Sequence, residues 1–401
     1  RGGTCIGLTV ERAVERYGVM ENEELLLFTG GYTEPILMGS GETVPGSCKG
    51  IVCWRFCPDT GRLEYRGVTE GVSNPSCVLA DPHGPYLYCV NELKQYGGIE
   101  GSTVSAFAIE ADEGRLRLIN RQFTCGADAC HLSMSPDGRY LLAANYSGGS
   151  FCVFPVREDH GLDTASCILK HHGKGADPWR QEKAHPHQTI LSPDGQLVYV
   201  SDLGLDRLAC YEADWERGWL LPAEEKDIKG LPGQGTRHGV FNGSGDRLYI
   251  MTEMSCEVNV YQYDRAACRG KLLQTVPALG EKLPGDGAMC LGSGIRLHPS
   301  GRWLYCAVRG TDHIAVFRME PDGGLSLIQT EPSGGRTPRD FVISPEGRYL
   351  LAGNQDTDTI GVFKIHEESG CIEKMYMQEE AYCVTSLCFW KRQKRAGESC
   401  S

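Results

Sequence analysis

The stretch that decides the fold is His185–Ala213, which reads HPHQTILSPDGQLVYVSDLGLDRLACYEA. Polar turns separate three short apolar segments within it: Thr189–Leu191, Leu197–Ser201 and Leu208–Tyr211. The Ser-Pro-Asp-Gly turn between the first two suits a hairpin, because proline pre-sets φ at the second turn position and Gly195 tolerates a positive φ. The stretch therefore predicts antiparallel strands whose polar residues gather at one end.

The same pattern recurs along the chain about every fifty residues. Each copy has a glycine in the hairpin between its first two strands, and the spacings between these glycines are 54, 57, 50, 56 and 46 residues. The six glycines are Gly84, Gly138, Gly195, Gly245, Gly301 and Gly347. A fourth strand opened by a glycine turn is indicated by GRLEY, GRLRL, GKLLQ and GGLSL between copies. Four strands repeated at this interval are typical of β-propeller blades.

Both ends of the chain carry parts of one further copy. Ala381–Trp390 resembles a first strand with nothing after it, whereas Leu25–Thr33 and Gly50–Phe56 resemble a second and a third strand with nothing before them. Joined in space, these segments make a seventh blade, and the closure removes the open sheet edge that otherwise invites aggregation. The predicted fold is all-β: a seven-bladed β-propeller of four-stranded blades over residues 23–390, in which N- and C-terminal strands share one blade.

The segments flanking this range are expected to lie outside the propeller. Residues 1–22 precede the first blade signal, and Met20 is the expected natural start, which makes the residues before it an extension. Residues 391–401, KRQKRAGESCS, form a basic tail that we expect to be a disordered surface segment.

Composition and charge narrow the class of protein. A net charge of −12 argues against nucleic acid or an anionic membrane as a partner. No apolar run approaches the roughly 18 residues of a membrane span. The nineteen cysteines are odd in number and include no CxxC pair, which favours a reducing, cytoplasmic location. We expect no cofactor, a small-molecule ligand, and a monomer or weak homo-oligomer.

Alignment of the copies on the hairpin glycine predicts a ring of residues on one face of the propeller. The residue eight before the glycine begins the innermost strand and the residue eight after it ends the second strand, so both lie at the same end of an antiparallel pair. The first positions are Ser76, Cys130, His187, Arg237, Ser293 and Arg339. The second positions are Glu92, Tyr146, Leu203, Glu253, Arg309 and Gln355.

The ring predicts a site for a small anion. Arginine donates two parallel hydrogen bonds to a carboxylate or phosphate, and three arginines converge here on one mouth of a net-acidic protein. The alternative is that these arginines only pair with Glu92 and Glu253 as ion pairs between blades. Further candidate ligand contacts beside the ring are Asn91, Asn145, Asp202 and Arg296.

Histidine side chains are also predicted at this end of the strands. The sequence His185-Pro-His187 invites a metal interpretation, but the proline interrupts the strand and spacing supplies no third ligand. We therefore expect no metal and favour an imidazole that acts on an oxygen atom of the ligand. His171 lies in a polar stretch and is expected to be solvated. Two histidines in equivalent slots of inner strands are further candidates for ligand contacts: His131 and His238.

Familiar catalytic and nucleotide-binding motifs are absent from the sequence. It contains no serine nucleophile elbow, Walker loop or dinucleotide fingerprint. The glycine-rich segment Gly39–Ser47 lacks the lysine and helix of a phosphate loop, and we expect it to form a loop at the mouth of the propeller.

Four segments resemble the lactonase family of seven-bladed propellers, whose best-known members are bacterial 6-phosphogluconolactonases and fungal carboxymuconate-lactonizing enzymes. They are, in chain order, HPHQTILSPDG…YVSDLGLDR, GQGTRHGVF…YIMTE, SGIRLHPSGRWLYCAVRGTD and TPRDFVISPEGRYLLAGNQDTDTIGVF. The resemblance covers roughly Leu25 to Trp390 and implies a metal-free active site on one face of the propeller. It places the family's active-site residues at His187, Arg237, Glu253 and Arg309.

The resemblance implies hydrolysis of a small anionic sugar lactone, with 6-phosphogluconolactone as the first candidate. Glu253 is then the general base for the attacking water, and His187 protonates the leaving ring oxygen, although acid and base could be reversed. Arg309 or Arg237 stabilises the oxyanion, and the other arginines hold the phosphate.

Two other functions compete with this hypothesis. A lactonizing cycloisomerase acting on a carboxymuconate needs the same residue types as the hydrolase. A non-catalytic propeller that binds ligands or proteins is the second alternative, but scaffold surfaces tend to be apolar whereas this ring is charged.

Overall fold

The computed structural model describes residues 24–39, 41–279 and 290–392. Within these ranges the regular structure is β-sheet, apart from three single turns of 3-10 helix. These turns are Ala111–Glu113, Glu224–Lys226 and Gln355–Thr357. The expected N-terminal extension, residues 1–22, lies outside the described residues.

The strands follow one another closely along the chain. Those of the first half are β1 (Leu25–Gly31), β2 (Ile36–Leu37), β3 (Thr43–Val44), β4 (Ile51–Cys57), β5 (Arg62–Thr69), β6 (Cys77–Ala80), β7 (Tyr86–Asn91), β8 (Gln95–Tyr96), β9 (Ile99–Glu100), β10 (Thr103–Glu110), β11 (Arg115–Phe123), β12 (Ala129–Met134), β13 (Tyr140–Asn145), β14 (Ser150–Pro155), β15 (Cys167–Lys170), β16 (Pro186–Leu191) and β17 (Leu197–Asp202). Those of the second half are β18 (Arg207–Asp214), β19 (Trp219–Pro222), β20 (Ile228–Lys229), β21 (Thr236–Phe241), β22 (Arg247–Thr252), β23 (Glu257–Asp264), β24 (Arg269–Pro277), β25 (Leu291–Leu297), β26 (Trp303–Arg309), β27 (His313–Met319), β28 (Leu325–Pro332), β29 (Pro338–Ile343), β30 (Tyr349–Asn354), β31 (Thr359–Ile365), β32 (Ile372–Gln378) and β33 (Val384–Lys391).

Seven antiparallel sheets, each with a four-stranded path, form the blades of a propeller. From the centre outward, blade 1 is β33-β1-β4-β5 and blade 2 is β6-β7-β10-β11. Blades 3 to 7 are β12–β15, β16–β19, β21–β24, β25–β28 and β29–β32, and β20 adds to the third strand of blade 4. The innermost strands contact one another in sequence, and β29 contacts β33, so the circle closes. The predicted fold class is confirmed.

Blade 1 closes the circle by pairing the two ends of the chain. Strand β33 runs antiparallel to β1, and Leu25 lies opposite Lys391. Lys391, expected in the tail, is thus the last residue of this strand. Arg392 follows it and lies 2.6 Å from the carboxylate of Asp112. The remaining tail residues, 393–401, lie outside the described ranges.

Seven hydrophobic clusters of the described residues lie between adjacent blades, one for each pair, and an eighth smaller cluster contains Tyr32, Ile36 and Val44. Between blades 7 and 1, for example, Leu27 and Trp54 pack with Leu351 and Val362, all of them buried. Because side chains alternate between the two faces of a strand, each blade contributes to the clusters on both of its sides. The stabilising apolar contacts therefore lie between blades, and the centre is left for polar side chains.

Six of the seven innermost strands carry a β-bulge, and in four of these strands the one skipped residue is a ring position. The pairing register skips one residue between Ala129 and His131 in β12, and it skips at the equivalent place in β16, β21 and β29. A bulge places two residues opposite one and re-aims the side chain of the extra residue. The extra residues are Cys130, His187, Arg237 and Arg339.

Candidate active site

Two adjoining cavities lie along the axis of the propeller. The larger, about 390 Å³, occupies the central channel and reaches the inner-strand residues of blades 1 to 7. The smaller, about 50 Å³, lies at one mouth and is covered in part by Leu37, Met38 and Gly39, as expected for a mouth loop. Four side chains line both cavities: Glu92, Cys130, His187 and Arg339. Ring positions predicted from the repeat therefore converge on one site.

Glu253 is the centre of the mouth cavity. Its Oε2 atom accepts a hydrogen bond from Arg237 Nε at 2.9 Å and forms an ion pair with Arg309 Nη2 at 2.8 Å. Its Oε1 atom accepts a hydrogen bond from Arg180. The carboxylate is 4% exposed. Burial by itself raises the pKa of Glu253, but the charges of Arg309, Arg180 and Arg237 outweigh it and hold the pKa well below its usual range. Glu253 is therefore ionised at any working pH.

Positive charge exceeds negative charge around the two cavities. Two ion pairs, Arg296–Asp340 and Lys94–Asp128, each have a net charge of zero. Among the other charged side chains that line the cavities, four guanidiniums face only two carboxyls, those of Glu92 and Glu253. Burial, and next the charge of Arg309, lowers the pKa of Arg237 to about 10. The four guanidiniums belong to Arg180, Arg237, Arg309 and Arg339. Such crowding of like charges in a buried place favours an anionic ligand.

Glu92 is the second carboxyl of the site, and its surroundings differ from those of Glu253. It accepts a hydrogen bond from the Tyr32 hydroxyl at 3.1 Å, while the Arg339 guanidinium lies over the Tyr32 ring, 5.6 Å from its centroid. Burial raises the pKa of Glu92 and the charge of Asp128 adds to this, whereas Arg339 lowers it. The ring thus holds one firmly ionised carboxylate and one that protonates more readily.

His187 lies between the cavities and contacts a second buried histidine. Its Nδ1 atom is 3.2 Å from His238 Nε2, and Arg237 Nη1 is 3.2 Å from His238 Nδ1. Burial, followed by the charge of Arg237, lowers the pKa of both imidazoles well below their usual value. Both rings are therefore neutral near pH 7.

The remaining candidates at the axis lie deeper in the channel. His131 stacks edge-on against His238 with ring centroids 5.4 Å apart, and its Nδ1 atom is buried without a hydrogen-bond partner. Arg296 Nη2 bonds to Asp340 Oδ1 at 2.9 Å. All of these side chains line the channel, but none lines the mouth cavity, so they lie on the side of His187 away from Glu253.

Three predicted ligand contacts, Asn91, Asn145 and Asp202, are turned into their own blades instead. Asn91 accepts hydrogen bonds from Thr103 and Ser105, and none of the three lines either cavity. Each is the last residue of a second strand, one position before the ring residue. Because successive side chains point to opposite faces of a strand, the expectation of a ligand contact was wrong at these positions.

Two histidines also differ from expectation. His185 lines neither cavity; its ring stacks on Tyr146 at 4.3 Å and its Nε2 atom is 3.2 Å from Glu182, so it supports the wall of the site. His171 is buried rather than solvated, because its two ring nitrogens bond to Asp202 and to the Tyr211 hydroxyl.

Sequence reasoning missed Arg180, which lies outside the repeat. It belongs to the linker of fifteen residues between β15 and β16, where alignment on hairpin glycines assigns no position. The length of this linker and its turn sequence Asp177-Pro-Trp-Arg were the available signals. A linker that enters the mouth of a propeller supplies functional residues in the same way as other surface loops.

No group of three or more His, Cys, Asp or Glu side chains in residues 24–39, 41–279 and 290–392 is arranged to hold a metal ion. In the same ranges no helix has the length and apolar character needed to cross a membrane.

Comparison with known proteins identifies the family. A sequence model described as "Lactonase, 7-bladed beta-propeller" matches residues 27–386. The 6-phosphogluconolactonase of Bacillus subtilis is 31% identical over 75% of this chain and 83% of its own. A putative 6-phosphogluconolactonase from Bacteroides fragilis superposes with a TM-score of 0.82 at 31% identity, covering 92% of this chain and 99% of its own. A periplasmic gluconolactonase from Pseudomonas aeruginosa does so with 0.81 at 30% identity, covering 91% and 99%. This protein therefore belongs to the lactonase family of seven-bladed β-propellers.

Proposed function

We propose that this protein hydrolyses 6-phosphogluconolactone to 6-phosphogluconate. The observation that carries the proposal is the excess of guanidiniums over carboxyls around the two cavities. A sugar phosphate brings a charge of about −1.5 to −2 at pH 7, which matches this excess. The names of the Bacillus subtilis and Bacteroides fragilis relatives support the same substrate.

The hydrogen bonds of the paired imidazoles indicate what His187 does. Arg237 Nη1 lies 3.2 Å from His238 Nδ1 and 3.5 Å from His238 Nε2, so this contact fits either tautomer. The mechanism uses the tautomer in which His238 Nε2 donates to His187 Nδ1, which places the proton of the neutral His187 on Nε2. Nε2 has no hydrogen-bond partner in the described chain, and His187 borders both cavities. His187 therefore donates to the ring oxygen and protonates it as the ester bond breaks.

Glu253 supplies the proton acceptor in this mechanism. Because it is ionised, it is in the state in which a carboxylate can take a proton from the attacking water. Arg309 and Arg237 bond to its other oxygen and lie where they can stabilise the oxyanion that forms on the lactone carbonyl. Acid and base thus keep the roles expected from the sequence.

Location and assembly are proposed on the sequence alone. The odd number of cysteines and the lack of a CxxC pair favour the cytoplasm, although the Pseudomonas aeruginosa relative is named as periplasmic. We propose that the protein acts without a nucleic-acid partner and as a monomer or weak homo-oligomer, since its net charge is −12.

The test is hydrolysis of freshly generated 6-phosphogluconolactone, with the rate of its spontaneous opening subtracted. The wild type should exceed that background, and His187→Gln should lower kcat about 10²- to 10⁴-fold because a proton donor is lost. His172→Gln, a change at an exposed histidine of the same linker as Arg180, is the matched control and should keep full activity.

An inactive wild type would exclude this substrate and direct attention to the cycloisomerase reaction on a carboxymuconate. Full activity of His187→Gln would instead leave the substrate in place and remove His187 from the mechanism.

A further inference from the structure

Arg180 is held in place by a compact turn in the linker between β15 and β16. The Asp177 carboxylate accepts hydrogen bonds from the backbone N–H groups of Trp179 and Arg180, both at 2.8 Å. The fully buried side chain of Gln181 donates to the Leu203 carbonyl at 2.9 Å and accepts from Asp177 N at 2.9 Å. The linker therefore directs Arg180 into the mouth cavity from a rigid frame.

Arg180 differs from the other guanidiniums of the site in its origin and its bonds. Arg237 and Arg309 come from blade strands and share Oε2 of Glu253, whereas Arg180 comes from the linker and bonds to Oε1. Its Nε atom, like that of Arg309, is buried and has no hydrogen-bond partner. A buried donor without a partner is costly, so its presence in a site points to an acceptor that a ligand brings.

The mouth cavity is small in comparison with the channel. Its volume is about 50 Å³. The adjoining channel, at about 390 Å³, has room for a sugar ring. Arg180, Arg309 and Arg339 line the small cavity together.

We propose that Arg180 is the residue by which this protein selects a phosphorylated lactone over the unphosphorylated one. Its guanidinium binds the phosphate in the mouth cavity together with Arg339. The inference rests on the proposed function, and it addresses a difference that exists among the relatives, since their names include both 6-phosphogluconolactonase and gluconolactonase.

Phosphate binding at Arg180 also affects Glu253. When the guanidinium turns from Oε1 to the phosphate, the carboxylate loses one of the three cations that hold its pKa low. Oε1 then faces the attacking water with a stronger affinity for a proton. Recognition of the phosphate and activation of the base are thereby coupled through one side chain.

The experiment compares kcat/KM for 6-phosphogluconolactone and glucono-δ-lactone in the wild type, Arg180→Met and Arg180→Lys. The ratio of interest is kcat/KM for 6-phosphogluconolactone divided by kcat/KM for glucono-δ-lactone. Arg180→Met should lower this ratio about 10- to 100-fold, as expected for the loss of one hydrogen-bonded ion pair. Activity on glucono-δ-lactone alone is not the readout, because Arg180 also bonds to Glu253 Oε1 and its loss affects both substrates. Arg180→Lys should recover part of the ratio, since it keeps the charge but not the planar fork.

The matched control is Lys183→Met, an exposed cation of the same linker that bonds to the Ser147 carbonyl. It should leave the ratio unchanged. If Arg180→Met lowers both activities equally, or neither, Arg180 does not select the phosphate. If the wild type hydrolyses neither lactone, the proposed function itself fails, so the two failures are distinguishable. Any glucono-δ-lactone activity above the spontaneous rate also demonstrates that the variant is folded.

Discussion

The substitution Glu253→Gln tests whether one buried carboxylate balances the arginines of the site. Glutamine keeps the size of the side chain and removes its charge. In the wild type, Arg237 Nε and Arg309 Nη2 lie 2.9 and 2.8 Å from Oε2, and Arg180 bonds to Oε1. The variant leaves three guanidiniums around a neutral amide, whose NH₂ group cannot accept a hydrogen bond from them.

The expected loss of stability is large, although the substitution only replaces one carboxylate oxygen by an NH₂ group. Removal of one partner from a buried ion pair costs about 3–5 kcal/mol, because the other charge stays buried without compensation. With an unfolding entropy of about 2 cal/mol/K per residue over the propeller, this lowers Tm by about 4–7 °C. Loss of the general base should lower kcat about 10²- to 10⁴-fold at the same time.

Thermal unfolding with and without inorganic phosphate measures both the loss of stability and the binding of an anion by the freed guanidiniums. Phosphate should raise the Tm of Glu253→Gln more than that of the wild type, because the freed guanidiniums bind it more tightly. A ligand at one hundred times its Kd contributes about 2.7 kcal/mol, so phosphate can restore more than half of the loss. Glu368→Gln, at an exposed carboxylate in the turn between β31 and β32, is the control and should change neither Tm nor activity.

A Glu253→Gln variant with wild-type Tm and no greater response to phosphate would refute this reasoning. It would mean that the three guanidiniums are neutralised by other groups or by solvent. Wild-type kcat in the same variant would separately remove Glu253 from the proton transfer.

Two further predictions concern pH and closure of the propeller. Burial lowers the pKa of His187 and His238 in the folded state. Below pH 6.5 the unfolded state therefore binds more protons than the folded state, and the free energy of unfolding decreases as the pH is lowered. Between pH 7.5 and 5.5 the loss should be about 1.4 kcal/mol per histidine, measured from urea midpoints, and a wild-type slope in His238→Gln would contradict it. Gly31→Ala places a Cβ atom 1.8 Å from the Cys383 carbonyl oxygen, where the two ends of the chain meet. It should cost about 1–3 kcal/mol in unfolding free energy, whereas Gly243→Ala, with open space around it, should cost little; equal effects would refute the strain argument.

The ring of site residues was predictable because its signal is local. Each hairpin glycine sets the register of two adjacent strands, so positions eight residues to either side lie at one end of the blade wherever that blade sits. This is why the sequence alone places His187, Arg237, Glu253 and Arg309 on one face. The same pattern also places Ser293 there, but in the structure its hydroxyl donates to the carbonyls of Ala307 and Pro338.

By itself, then, the sequence determined the repeat, the number of blades, their closure by the two ends, and the positions at which polar residues end the strands. Only the tertiary structure decided which of these side chains meet. A bulge of one residue reverses the face to which a side chain points, and this separates Arg237, in the site, from Asn91, inside a blade. Arg180 contacts Glu253 although 73 residues of sequence separate them. Arg180 lies in a linker that the repeat does not include, so this contact depends on the closed circle of blades and not on a local pattern.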